Sequence, residues 1–147
     1  MNATDQTPRR TVVLVPCSGI GKTYGTVTRE ATYIVAEDLR PETTRIVPLS
    51  LLVLGDPEAL AAVRDAQVIT LDGCKLACAT VNVRAAGGEI AHEYAVLDFY
   101  RTHRDLKPQG IAALNERGEA LACALAEEIA ASSDALVADT GEEVDHA

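Results

Sequence analysis

Residues 11–16 (T-V-V-L-V-P) are almost wholly apolar and β-branched, the pattern of a strand buried on both faces. A glycine-rich loop, C-S-G-I-G-K-T-Y-G, follows. Residues 27–39 then carry Val27, Ala31, Ile34, Val35 and Leu39 at a helical period, closed by Pro41. Residues 44–48 predict a second strand, and 49–54 (L-S-L-L-V-L) suit either a loop or a short helix. Pro57, behind Asp56 as cap, opens a helix expected to end at Val63 or Arg64. Residues 67–71 (Q-V-I-T-L) predict the third strand, and 75–85 a helix ended by Gly87 and Gly88. Residues 89–97 fit a fourth strand whose register the pattern leaves open. The longest element is expected over 108–132, where Ile111, Leu114, Leu121, Leu125 and Ile129 keep a helical stripe. Strands alternating with helices predict an α/β fold of three layers around a mainly parallel four-stranded sheet. A Rossmann-like or flavodoxin-like strand order, 2-1-3-4, would set Cys17 and Cys74 at neighbouring strand tips.

The chain has 147 residues, enough for one self-sufficient core. We expect a single domain over 11–133, between a flexible N-terminus (1–10) and an acidic flexible tail (134–147). Aromatic residues are only 3% of the chain, so bases would find few stacking platforms. The formal net charge of -9 argues against a backbone-reading nucleic-acid partner, which needs a basic stripe. No apolar run approaches a membrane span or a signal-peptide core. These features point to a cytoplasmic protein, where four cysteines serve packing, metal binding or thiol chemistry rather than disulfides.

Cys17 lies just beyond the first strand and Cys74 just beyond the third. If those strands are neighbours, their tips stand about 4.8 Å apart and the thiols converge. Cys78 follows by four, and on a helix it shares a face with Cys74. Any one of these taken alone is equally a small buried hydrophobe. The amides of Ser18 and Gly19, with Gly21, Lys22 and Tyr24, could receive an anion or another ligand. Cys74 at a helix N-terminus would favour thiolate. Asp72 is either a ligand, a partner of the ligands, or simple Asp-Gly turn chemistry. His103, in R-T-H-R-D-L-K, is the weaker candidate on the same edge, and His92 reads as a cross-strand partner. Several fingerprints fail. Pro16 stands where a P-loop needs Gly, Tyr24 where a dinucleotide loop needs a small residue, and Thr23 where a phosphatase loop needs Arg. Cys74 and Cys78 are one residue too far apart for a thioredoxin-like pair.

P-C-S-G-I-G-K-T-Y-G-T at 16–26, D-G-C at 72–74 with C-A at 78 and 79, and R-D-L-K-P at 104–108 resemble the DGC domain family. The resemblance spans about residues 11–131. It implies zinc held by cysteine thiolates and supplies no reaction. Its chelating set carries over onto Cys17, Cys74 and Cys78. The family's further Cys, ahead of a Leu-Pro pair near the end of strand two, corresponds to Ile46 and Val47 before Pro48. Cys123 is expected about 20 Å down the last helix, beyond the reach of Zn–S bonds of about 2.3 Å, and reads as packing. Asp72, water or a substrate would complete the site, and an iron–sulfur cluster is the other cofactor that thiolates suit. Two functions follow: a zinc carrier, sensor or enzyme, or a metal-free thiol protein in which Cys17 or Cys74 is a lowered-pKa nucleophile. Expected partners are a metal ion, a small anionic or sulfur-containing ligand, or a metal-accepting protein. Oligomeric state and catalysis are not readable from the residues.

Overall fold

The computed structural model describes residues 11–142, so the N-terminal residues 1–10 and the end of the acidic tail lie outside it. Four parallel strands form one sheet in the order β2-β1-β3-β4, where β1 is Val12–Pro16, β2 Thr44–Ile46, β3 Val68–Asp72 and β4 Ile90–Ala95. The alternation within β1 explains the two cores. Val12 and Leu14 face one layer with Ile69 and Leu71, while Val13 and Val15 face the other with Val68. The first layer holds α1 (Thr23–Tyr33), α5 (Val96–Arg101) and α6 (Glu116–Glu142). The second holds α2 (Leu49–Leu54), α3 (Pro57–Asp65) and α4 (Cys78–Ala85). Both faces of the sheet are therefore covered, as a parallel sheet of apolar strands requires. Asp56 caps α3, its carboxylate accepting from the Ala59 amide at 2.9 Å. Among the described residues no helix is long and apolar enough to cross a membrane.

Several element boundaries depart from the periodic pattern, and the choice left open at 49–54 is decided. Helix α1 starts at Thr23, four residues before the expected position, and ends in a π-helical stretch, Ile34–Leu39, sealed by Arg40 N–H on the Val35 carbonyl. Residues 49–54 are helical, stopped by Gly55 at φ 80°. Helix α4 begins at Cys78 rather than near Lys75, because residues 73–77 form a turn with Ala77 left-handed at φ 49°. The fourth strand stops at Ala95, because Val96, Phe99 and Tyr100 carry a helical spacing and form α5. Helix α6 begins at Glu116 instead of Pro108. Gly110 turns left-handed at φ 101°, and the Asn115 side chain caps the helix by accepting from Gly118 N–H at 2.8 Å. It then continues past Ser132 to Glu142, so the first part of the expected tail is helical. Arg40 holds that extension with paired 2.7 Å hydrogen bonds to the Asp134 carboxylate, which keeps this carboxyl below its ordinary pKa.

The loops after β1 and β3 are fused by backbone contact. A Cβ on Gly25 would lie 2.2 Å from Gly19 Cα, and one on Gly73 would lie 2.8 Å from Gly25 N. Gly25→Ala therefore has no conformation free of backbone overlap, and we expect a loss of about 3 kcal/mol. Gly21 also has positive φ, at 76°, but faces open space, so Gly21→Ala should cost only about 1 kcal/mol. Denaturant melts of the two variants check this, and equal losses would remove the special role of the contact.

Candidate functional site

In the order 2-1-3-4 the chain leaves β1 toward β2 and later returns to β3 on the other side. The crevice at the carboxyl ends of β1 and β3 is thus where a ligand site is expected. Cys17 follows β1, and its N–H still pairs with Leu71 O at 2.8 Å. Cys74 follows β3 by two residues.

Cys17 is buried, with two partners. Thr28 Oγ1 donates its only proton to Gly25 O at 2.6 Å, so in its 3.5 Å contact with Cys17 the thiol is the donor. Gly73 N–H in turn donates to Cys17 Sγ at 3.3 Å. Burial pushes the Cys17 thiol up, outweighing the hydrogen bond it accepts from Gly73 N–H, and the nearby Asp72 and Cys74 add to the rise. This corrects the expectation of a lowered-pKa nucleophile at Cys17. Desolvation dominates where the sequence suggested only glycine amides.

Asp72 is buried with both oxygens engaged. One accepts from Ala79 N–H at 2.8 Å, and the other from Thr80 N–H at 3.2 Å and Thr80 Oγ1 at 2.7 Å. Because the Thr80 proton goes to Asp72, Thr70 is the donor in its 2.7 Å bond to Thr80. Asp72 thus satisfies the open amides of α4, whose own cap position is Ala77, with no side-chain oxygen. The Asp before the loop was legible as turn chemistry; its role as a remote helix cap was not.

Cys74 is half-buried, and Lys22 Nζ donates to its sulfur at 3.9 Å. Cys74 is not at a helix N-terminus. That place belongs to Cys78, which is exposed, so the two sulfurs do not share a helix face. Cys123, in the second turn of α6, is exposed rather than packed. Ser18 is exposed, and its carbonyl accepts from Arg29 Nη1 at 2.5 Å, a clamp on the loop that sequence reasoning missed. Gly19 and Gly21 supply left-handed turns. Tyr24 packs against the core and lies 6.1 Å from the Tyr100 ring, which accounts for it structurally. His103 stacks on Phe99 at 4.2 Å with Nδ1 on the Phe99 carbonyl, closing the end of α5. His92 is exposed, with its ring 6.4 Å from that of Tyr94 on the same strand.

Among the described residues no three His, Cys, Asp or Glu side chains are grouped to hold a metal ion. The thiol donors suit zinc chemically, but as placed they do not fit a three-thiolate site. Cys17 is spent on Thr28 and Gly73, Asp72 on α4, and Cys78 is exposed at the start of α4. Beside Cys74 a cavity of about 560 Å³ opens at the tips of β3 and β4, walled further by α5 and by Glu128 of α6.

Alkylation should follow these environments. The accessible thiols, Cys74, Cys78 and Cys123, are expected to react well before buried Cys17, read by mass spectrometry of timed iodoacetamide reactions. The raised Cys17 thiol contributes stability in full below the ordinary thiol pKa of about 8.5, and loses it as the pH climbs toward the raised value. Cys17→Ala should thus be less stable than the parent at neutral pH and show a shallower alkaline decline. Equal alkaline slopes would contradict the assignment.

The model of the DGC domain family matches residues 13–117. No curated protein and no solved structure matches the chain. The matched span runs from β1 to the first turn of α6 and contains the Cys17 loop, the Asp72-Gly73-Cys74 turn and Cys78. On that match, over most of its length, the chain belongs to the DGC domain family.

Proposed function

We propose that this is a thiol protein of the cytoplasm that handles sulfur at Cys74. The observation that carries the reading is the Lys22 ammonium 3.9 Å from the Cys74 sulfur at the edge of a cavity, in a site whose other buried thiol is fully engaged. Lys22 places a cation beside the charge that a thiolate or persulfide brings. The step is a sulfur transfer. Cys74 thiolate attacks the outer sulfur of a persulfide R–S–SH, the donor's S–S bond breaks with its electron pair leaving on R–S⁻, and Cys74–S–SH forms with the proton retained on the outer sulfur. No oxidant is consumed.

A second reading is zinc held by Cys17, Cys74 and Cys78, with a metal-accepting protein as partner. It is favoured by the family membership and by the placement of Cys17 and Cys74 at the tips of adjacent strands. Loading would require Cys17 to surrender its hydrogen bonds with Thr28 and Gly73. An iron–sulfur cluster faces the same requirement.

Metal content of protein purified without added zinc, with iodoacetamide labelling before and after chelation, separates the readings. The thiol reading expects no stoichiometric metal and labelling at Cys74 that chelator does not change. Incubation with a persulfide donor should add one sulfur atom at Cys74, absent in Cys74→Ser and about tenfold slower in Lys22→Met. Stoichiometric zinc, lost in Cys74→Ser and exposing thiols when chelated, would establish the second reading instead.

A further inference from the structure

The cavity beside Cys74 has a charge pattern that selects among sulfur compounds. Of the charged groups on its wall, several are already neutralised within the protein. Glu93 is paired with Arg84, Asp98 with Arg101 Nη1 at 3.0 Å, and Asp72 with the α4 amides and Thr80. Two opposite charges, Lys75 and Glu128, also line the cavity, and among the described residues neither side chain has a hydrogen-bond or ion-pair partner. The volume, about 560 Å³, is in the range of small-molecule sites, which run to about 300–1,000 Å³.

We infer that this cavity binds a zwitterionic aminothiol in its disulfide or persulfide form, with its carboxylate toward Lys75, its ammonium toward Glu128 and its sulfur at Cys74. A compact polyanion is disfavoured, because the one unpaired cation on the wall, Lys75, is matched by an unpaired anion, Glu128. A neutral compound would leave both unpaired charges unused. A zwitterion answers each charge with its opposite and needs no net charge of its own. The inference rests on Cys74 as the working thiol and names the class of compound brought to it.

Mixed-disulfide formation tests this with four symmetrical reagents: cystine (zwitterionic), cystamine (cationic), 3,3′-dithiodipropionate (anionic) and hydroxyethyl disulfide (neutral). In each reaction Cys74 thiolate attacks one sulfur, the reagent's S–S bond breaks, and one thiolate leaves. Adduct mapping by mass spectrometry gives the rate at Cys74, and that of free cysteine with the same reagent corrects for intrinsic reactivity. The corrected cystine rate is expected to exceed each of the other three by about tenfold. The cystine-to-neutral ratio should fall severalfold in Glu128→Gln and in Lys75→Gln, read within each variant so that a general change in Cys74 reactivity cancels. Preference for cystamine or for the anionic reagent, no preference, or ratios unaffected by both substitutions would overturn the inference. If no reagent modifies Cys74 faster than Cys78 and Cys123, the thiol reading itself has failed, an outcome distinct from loss of selectivity.

Discussion

Three glycines at the carboxyl edge set the geometry of everything nearby. Gly19 and Gly25 touch backbone to backbone, and Gly73 lies against Gly25 closely enough that a side chain on any of the three would meet main-chain atoms within 3 Å. This contact locks the loop after β1 onto the loop after β3. From it follow the short reach of the Gly73 amide to Cys17 Sγ and the arrival of Lys22 at Cys74. Side chains can yield to an intruding methyl group, whereas two backbones in a parallel α/β scaffold cannot without shifting the strands that carry them.

Most of the polar groups near this junction are consumed in holding it. Thr28 satisfies Gly25 O and receives the Cys17 thiol, Arg29 clamps Ser18 O, and Thr26 reaches across to Ile111 O at 2.6 Å, tying the segment before α6 onto α1. On the other side of the sheet Thr70 donates to Thr80 and Thr80 to Asp72, whose carboxylate also accepts from the amides of α4. Each donor and acceptor in a buried network of this kind has to be matched, because an orphaned one costs about 1–3 kcal/mol. That accounting separates structural groups from available ones. Asp72 and Cys17 belong to the scaffold in this arrangement, while Cys74, Lys22, Lys75 and Glu128 are not committed to the core.

Matched polar groups also hold α6 beyond its expected end. Its apolar stripe, Leu121, Leu125 and Ile129, fills the core against β1 and α1. Past that stripe, Ser132 meets the Tyr94 hydroxyl, Ser133 turns its hydroxyl back to Ala130 O, and Asp134 pairs with Arg40. Polar docking thus carries the helix through residues whose apolar period has faded. The 27-residue helix is a product of these tertiary partners as much as of its composition.

The sequence by itself determined the architecture. Doubly buried strands read as unbroken β-branched runs, helices as 3.6-residue periods, and their alternation leaves a parallel sheet as the economical solution, here with the expected order. It also marked the P-C-S-G and D-G-C segments as the chemical edge of that sheet. What it could not decide was which thiols there are free. That depends on where Thr28 sends its proton, on whether Asp72 faces a ligand or the amides of a helix six residues on, and on a left-handed Ala77 that delays α4 and leaves Cys74 outside the helix that Cys78 opens. Such choices turn on contacts between residues far apart in the chain and on tenths of an ångström. A periodic pattern records which face a residue takes, and only the assembled fold shows whether its polar atoms have already found a partner.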